Sequence, residues 1–274
     1  MRFLTGKTVV VLAATLILSA TALAGDWCKE YNYGNKKKAS SVDARQFTLS
    51  STGRLEVDGR TNGGIKVQGA DRSDVLVEAC VRAWADTQAE ADNLVQTTRI
   101  ETAGVIRAVN DSEKYNSSVS FRISVPRNTD LMLNAKNGGL SVDGVNGSMD
   151  LKTVNGGIKL SNVAGDVKGR TTNGGIKVGL NGIAWTGGGL DLETVNGGVK
   201  IGIPANFAAN VEAGTVNGSF KSDFPELQLP KKEGKTYYRQ NKRVSGAING
   251  GGALIRAVTT NGSVKIYSAT ARAQ

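Results

Sequence analysis

The chain has 274 residues, of which 35 are glycine, two are cysteine and none is histidine, and its formal net charge is +10. Without histidine there is no Ser-His-Asp or Cys-His nucleophile system and no histidine metal ligand, and two cysteines alone cannot make a four-cysteine zinc or iron–sulfur site. Glycine stands well above its usual ~7% share but lacks collagen's period of three.

Residues 1–24 read as a secretory leader. Arg2 and Lys7 precede an apolar run over 9–18, and Thr21-Ala22-Leu23-Ala24 supplies a small-residue cleavage site. The run is too short for a membrane span of ~20 residues, so the mature chain is expected to be exported with no transmembrane segment, in the periplasm or at the cell surface. Residues 25–42, with Lys36-Lys37-Lys38, read as a flexible basic segment. In an oxidising compartment the only two cysteines, Cys28 and Cys80, are expected to form one disulfide. It would close a loop of about fifty residues, a gain of about 4 kcal/mol on the chain-entropy account.

Residues 43–126 read as a β-rich segment with one helix. Alternating runs at 54–57, 75–81, 104–109 and 118–125 suit strands, and 86–97 suits a helix with Asp86 as its N-cap. Pro126 marks the start of a repeat region over 127–268, followed by a tail at 269–274.

The repeat is visible directly. Asn-Gly followed by Gly or Ser recurs at Asn62, Asn137, Asn146, Asn155, Asn173, Asn196, Asn217, Asn249 and Asn261, with a basic unit of about eighteen residues that lengthens to 23. After each Asn-Gly-Gly the residues alternate: Ile158 and Leu160, Ile176 and Val178, and Val199 and Ile201 share one face, and Lys159, Lys177 and Lys200 the other. Period two means strands buried on one side. Asn-Gly is also a strong hairpin signal, because both residues tolerate positive φ.

Two architectures therefore compete, an antiparallel meander of nine-residue steps and a stack of two-strand coils. The similarity is strongest at eighteen, the buried phase is constant and the insertions fall at one place. These favour an all-β, right-handed parallel β-solenoid of ~18–23-residue coils, with asparagine amides pairing up the stack and the last units, from Asn249 and Asn261, capping it.

Two basic features stand out as candidate polyanion sites. One is a column of strand lysines, Lys159, Lys177, Lys200 and Lys221, with Lys66 and Lys265 at equivalent positions. The other is the segment containing Lys231, Lys232, Lys235, Tyr237, Tyr238, Arg239, Lys242 and Arg243, where tyrosines interleave with cations. A solvated surface is the competing reading of both. Asp143, Asp150, Asp166 and Asp191 are the carboxylates a glycan-cleaving enzyme would use, but they alternate with Lys152, Lys168 and Arg170, as solvated strand faces do.

The stretch from Val125 to Leu131 (VPRNTDL) and the repeated Thr-Val-Asn-Gly-Gly resemble a bacterial β-strand-repeat family labelled "putative adhesin", which overlaps the toast-rack domain group. The likeness spans roughly residues 43–267. It implies an exported, repetitive all-β protein of the cell envelope, and some relatives are attached to membrane modules linked to envelope-stress sensing. It carries over no catalytic residue. The expected function is that of a non-enzymatic adhesin-like or structural protein without a cofactor. Its expected partners are an anionic glycan, lipopolysaccharide or an envelope protein; nucleic acid is not expected as the natural partner. The alternatives are a ligand-sensing module acting with a membrane partner and, third, a polysaccharide-active enzyme.

Overall fold

A computed structural model describes residues 27–30, 38–110, 116–229 and 242–269. Residues 1–24, read above as a secretory leader, and most of the second basic segment lie outside these residues. The described chain is all-β apart from a helix at Gln88–Thr97, a single helical turn at Trp27–Glu30 and a 3₁₀ turn at Pro225–Leu227. No helix among the described residues is long and apolar enough to cross a membrane.

Two ten-stranded sheets face each other. In the first the spatial order is Ala39–Ser50, Asp74–Ala85, Ser117–Pro126, Ile65–Ala70, Leu140–Asp143, Ile158–Ser161, Ile176–Gly179, Val199–Pro204, Val264–Ala269 and Phe220–Ser222. In the second, from the same end, it is Arg99–Glu101, Val105–Val109, Arg54–Asp58, Asp130–Ala135, Asn146–Asn155, Ala164–Asn173, Gly189–Asn196, Leu254–Asn261, Ala209–Asn217 and Lys242–Ile248. Every interior pairing is parallel. The antiparallel pairings are confined to the ends. A meander of nine-residue hairpins is therefore not the fold.

The chain alternates between the sheets, and each traverse forms a rung. The inward residues of successive rungs sit in register. Met149, Val167, Leu190, Ile255 and Val211 stack on the second sheet, and Ile158, Ile176, Val199, Val264 and Phe220 on the first. All ten are buried. At ~1.5–3 kcal/mol for each large aliphatic side chain taken from water, this strip supplies the main cohesion between sheets.

Rung order is not chain order. The last rung in sequence, Leu254–Asn261 with Val264–Ala269, lies between the rungs of Gly189–Asn196 and Ala209–Asn217. The expectation that the Asn249 and Asn261 units cap the stack is thus corrected. The far end of the second sheet is closed by Lys242–Ile248, and that of the first by the three-residue strand Phe220–Ser222.

The helix at Gln88–Thr97 is capped by Thr87 rather than Asp86. The Thr87 hydroxyl accepts from the Glu90 N–H and the Glu90 carboxylate accepts from the Thr87 N–H, a reciprocal capping box. At the other end the Arg45 guanidinium donates to the Val95 carbonyl at 2.8 Å and to that of Thr98, which supplies the positive charge a helix C-terminus favours.

Candidate functional site

The Thr-x-Asn-Gly-Gly/Ser motif builds the corner where each rung passes from the second sheet to the first. Its threonine is buried and reaches back one rung. Thr153 donates to the Gly138 carbonyl at 2.8 Å, Thr171 to Gly156 at 2.7 Å, and Thr194, Thr259 and Thr215 to Gly174, Gly197 and Gly262 at 2.8 Å. The asparagine amides pair along the stack at 2.8–3.1 Å, in the order Asn62, Asn137, Asn155, Asn173, Asn196, Asn261 and Asn217. Two of the expected turn asparagines lie outside this ladder. Asn146 donates to Asn128 at 3.2 Å in a separate pair, and Asn249 turns the chain at φ 48° and donates to the Ala205 and Phe207 carbonyls.

The ladder asparagines do not use positive φ. What the first glycine supplies is closeness. A Cβ on Gly156, Gly174 or Gly197 would fall 2.0 Å from the glycine carbonyl oxygen one rung back, far inside van der Waals contact.

Alternation then sets three outward columns side by side on the first sheet. The corner column is the asparagine ladder. Next come the small residues Ser120, Gly64, Gly139, Gly157, Gly175, Gly198, Ser263 and Ser219. Two residues further along each strand, about 7 Å away, runs the basic column Arg122, Lys66, Ser141, Lys159, Lys177, Lys200, Lys265 and Lys221. The predicted lysines do share a column, but Lys265 separates Lys200 from Lys221 and Ser141 separates Lys66 from the rest. Lys159, Lys177, Lys200, Lys265 and Lys221 occupy consecutive rungs, about 4.8 Å apart. All are exposed, and none makes an ion pair among the described residues.

The second sheet handles charge in the opposite way. Asp191 receives Arg170 at 2.9 Å and Arg256 at 2.6 Å, Asp150 receives Lys152 at 2.7 Å, and Glu193 lies 3.8 Å from both arginines. Burial alone would push the Asp191 carboxyl up; the hydrogen bonds and charges of Arg256 and Arg170 outweigh it and hold the group below its ordinary value. Asp166 faces Lys168 at 4.0 Å, and Asp143 accepts from the Asn162 amide at 2.9 Å. These aspartates are therefore engaged in ion pairs and hydrogen bonds rather than in a facing carboxylate pair. Of the second basic segment, Lys231, Lys232, Lys235, Tyr237, Tyr238 and Arg239 lie outside the described residues. Lys242 and Arg243 fall on the last strand of the second sheet, not in the lysine column, and the Lys242 ammonium reaches the Gly218 carbonyl of the last corner at 2.5 Å.

At its beginning the small-residue column opens into a groove of about 950 Å³. Cys80 faces outward beside Ser120 and is joined to Cys28, with Cα atoms 5.4 Å apart, as the cysteine count predicts. The bridge pins the Trp27–Glu30 turn onto the outer face of the sheet, and Arg82 donates to the Cys28 carbonyl at 3.2 and 2.6 Å. Trp27 thereby stands at the head of the groove, 4.3 Å from the Arg122 guanidinium, and its buried indole N–H has no acceptor among the described residues. Trp84 lines the same end. Neither the small-residue column nor the tryptophan wall figures among the sequence expectations. Parity gives the first, since Gly157 and Lys159 must share a face; the wall needs the disulfide's position in space.

Fold and face together define a class: a stack of parallel two-strand rungs, with antiparallel strands at both ends of the second sheet and at one end of the first, and with one neutralised and one basic outer face. The chain belongs to the Toastrack DUF4097 family, whose model matches residues 55–267. Among solved structures it is similar to a "putative cell adhesion protein" from Clostridium sporogenes, at 9% identity and TM-score 0.44, covering 84% of this chain and 100% of that one. It is similar also to a "putative adhesin" from Bacteroides fragilis, at 11% identity and TM-score 0.40, covering 84% and 97%. No curated protein sequence matches it significantly.

Proposed function

We propose that the protein is exported and non-enzymatic, and serves as a rigid adhesin-like or structural element of the cell envelope that binds polyanions through the outer face of its first sheet. The observation that carries this reading is the contrast between the faces. The second sheet pairs its charges internally, whereas five consecutive lysines on the first are left without carboxylate partners. Aligned like charges raise the local potential and gather a polyanion. The same reading takes the stack as a right-handed solenoid of Asn-Gly-Gly coils, supported by the in-register ladders at Asn155, Asn173 and Asn196, because only a rigid stack keeps the lysines aligned.

The test is binding of the mature protein to an anionic-glycan, lipopolysaccharide and DNA panel at low and physiological salt, beside a variant with Lys159, Lys177, Lys200 and Lys265 changed to glutamine. Salt-sensitive binding that the variant loses supports the reading. Equal behaviour of the two proteins returns the lysines to a solvated face that blocks sheet aggregation.

A further inference from the structure

Resting on the polyanion reading, we infer that the small-residue column is a linear binding trough for an extended carboxylated glycan of the polyuronide class, lying along the stack with its first ring at Trp27.

The cross-section is the first reason. Glycine or serine forms the floor on every rung, ammonium groups line one side and carboxamides the other. Each ladder amide spends one N–H and one oxygen lone pair on its neighbours, which leaves one donor and one acceptor facing solvent. From Lys159 to Lys221 each rung thus offers a cation for a carboxylate, an N–H and a carbonyl for ring hydroxyls, and bare backbone against which a sugar ring can rest; the Ser141 rung lacks the cation. The period is the second reason. The set repeats about every 4.8 Å in a straight line, and an extended 1,4-linked chain of pyranoses is itself straight and rises by a similar step per ring, turning only every second or third carboxylate toward the lysines and its hydroxyls toward them between. Duplex DNA presents its phosphates along a helical path, which leaves a straight column after a few contacts. Single-stranded nucleic acid needs a series of aromatic platforms, and here aromatics stand at the head of the trough alone. The head is the third reason. Trp27 lines the groove and has Arg122 over its ring, so the end of the trough offers a ring wall and a guanidinium together.

The experiment uses oligogalacturonates of increasing length, with heparin oligosaccharides and single-stranded DNA of matched charge, titrated calorimetrically and by tryptophan fluorescence. Two variants run beside the wild type, each first shown by circular dichroism and melting to be folded. Lys159→Gln with Lys177→Gln and Lys200→Gln removes charge. Gly139→Gln with Gly175→Gln fills the floor without changing charge. A Cβ lies 3.4 Å from the nearest atom at Gly139 and 3.3 Å at Gly175, a backbone oxygen in both cases, and serine already occupies the same column at Ser263 and Ser219, so the side chains project outward with a shift of at most a few tenths of an ångström in the backbone beside them.

Affinity for oligogalacturonate is expected to rise with length and level off once the run of rungs is covered. The lysine variant is expected to weaken it by about tenfold, as for three exposed ion pairs, the filled variant to weaken it as well by obstructing the floor, and Trp27→Phe to lose most of the fluorescence response. If the lysine variant loses binding while the filled variant retains it, and heparin and DNA bind equally, the trough is overturned while polyanion binding stands. If none of the three polymers binds the wild type, both readings fall.

Discussion

The two glycines of each corner look alike in sequence and answer to different constraints. The first must be glycine because the next rung's backbone lies against it, whereas a Cβ on the second would point outward and meet a neighbouring backbone oxygen only at 3.0–3.4 Å. Gly174→Ala is expected to destabilise by at least about 2 kcal/mol, since a Cβ there meets a backbone oxygen that cannot yield, while Gly139→Ala stays within about 0.5 kcal/mol. Urea titration of the pair measures both, and equal losses would mean that conformational freedom, not closeness, is what the motif conserves along the stack. The asparagines were legible as a ladder because identical residues recurred in phase. The threonine two places earlier was equally periodic, but a hydroxyl on a strand reads as solvent-facing until the inward bend of the corner is known. Only then does its bond to the glycine carbonyl follow.

At the scale of elements, strand type and inward faces could be read from alternation, because one apolar residue in two is a direct record of burial. Parallel pairing also followed from the eighteen-residue phase. Rung order could not be read in this way. Leu254–Asn261 carries the same pattern as Ala209–Asn217, so nothing local says which lies outside; Lys242–Ile248 pairs antiparallel with the latter and claims its outer edge. Asp191 ties two rungs of the second sheet together, and its carboxyl is lowered from an ordinary value of 3.8. A lowered carboxylate contributes stability that is present above that value and lost as pH falls through the folded one. Asp191→Asn should therefore lower the melting temperature at neutral pH, and the gap from wild type should close below 3.8, followed by melting at stepped pH. The Cys28–Cys80 bridge predicts a different signature. Cys28→Ser with Cys80→Ser is expected to cost about 2–4 kcal/mol and to release Trp27 from Arg122, seen as a red shift in its emission; a lower midpoint with unchanged emission would show that the turn docks without the bridge.

For the whole molecule, the two outer faces make opposite electrostatic demands. The paired face is nearly indifferent to salt, whereas the lysine column repels itself at about 4.8 Å spacing, well inside a Debye length of about 30 Å at 0.01 M. Wild-type melting temperature is accordingly expected to rise between 0.01 and 0.15 M salt, where the Debye length shortens to about 8 Å, and Lys200→Gln to raise it more at the lower concentration than at the higher. A salt-independent melting temperature would mean that the ammoniums splay into solvent far enough to ignore one another. The face of the lysines was legible from sequence; the neutralisation of the opposite face was not, because Asp191 meets Arg256 only through the displaced rung order.

That displaced order governs how the chain can be assembled. A polypeptide emerging N-terminus first can lay down rungs through Gly189–Asn196 and Val199–Pro204 as it appears, but the site beside them stays open until Leu254–Ala269 arrives. The closing segment, not the last to be stacked but the last to be delivered, acts as a keystone. Loss of the final residues from 254 onward would therefore leave two unfinished sheet edges inside the molecule rather than a shortened stack, and would turn an otherwise sequential fold into one that commits only when its C-terminus is free.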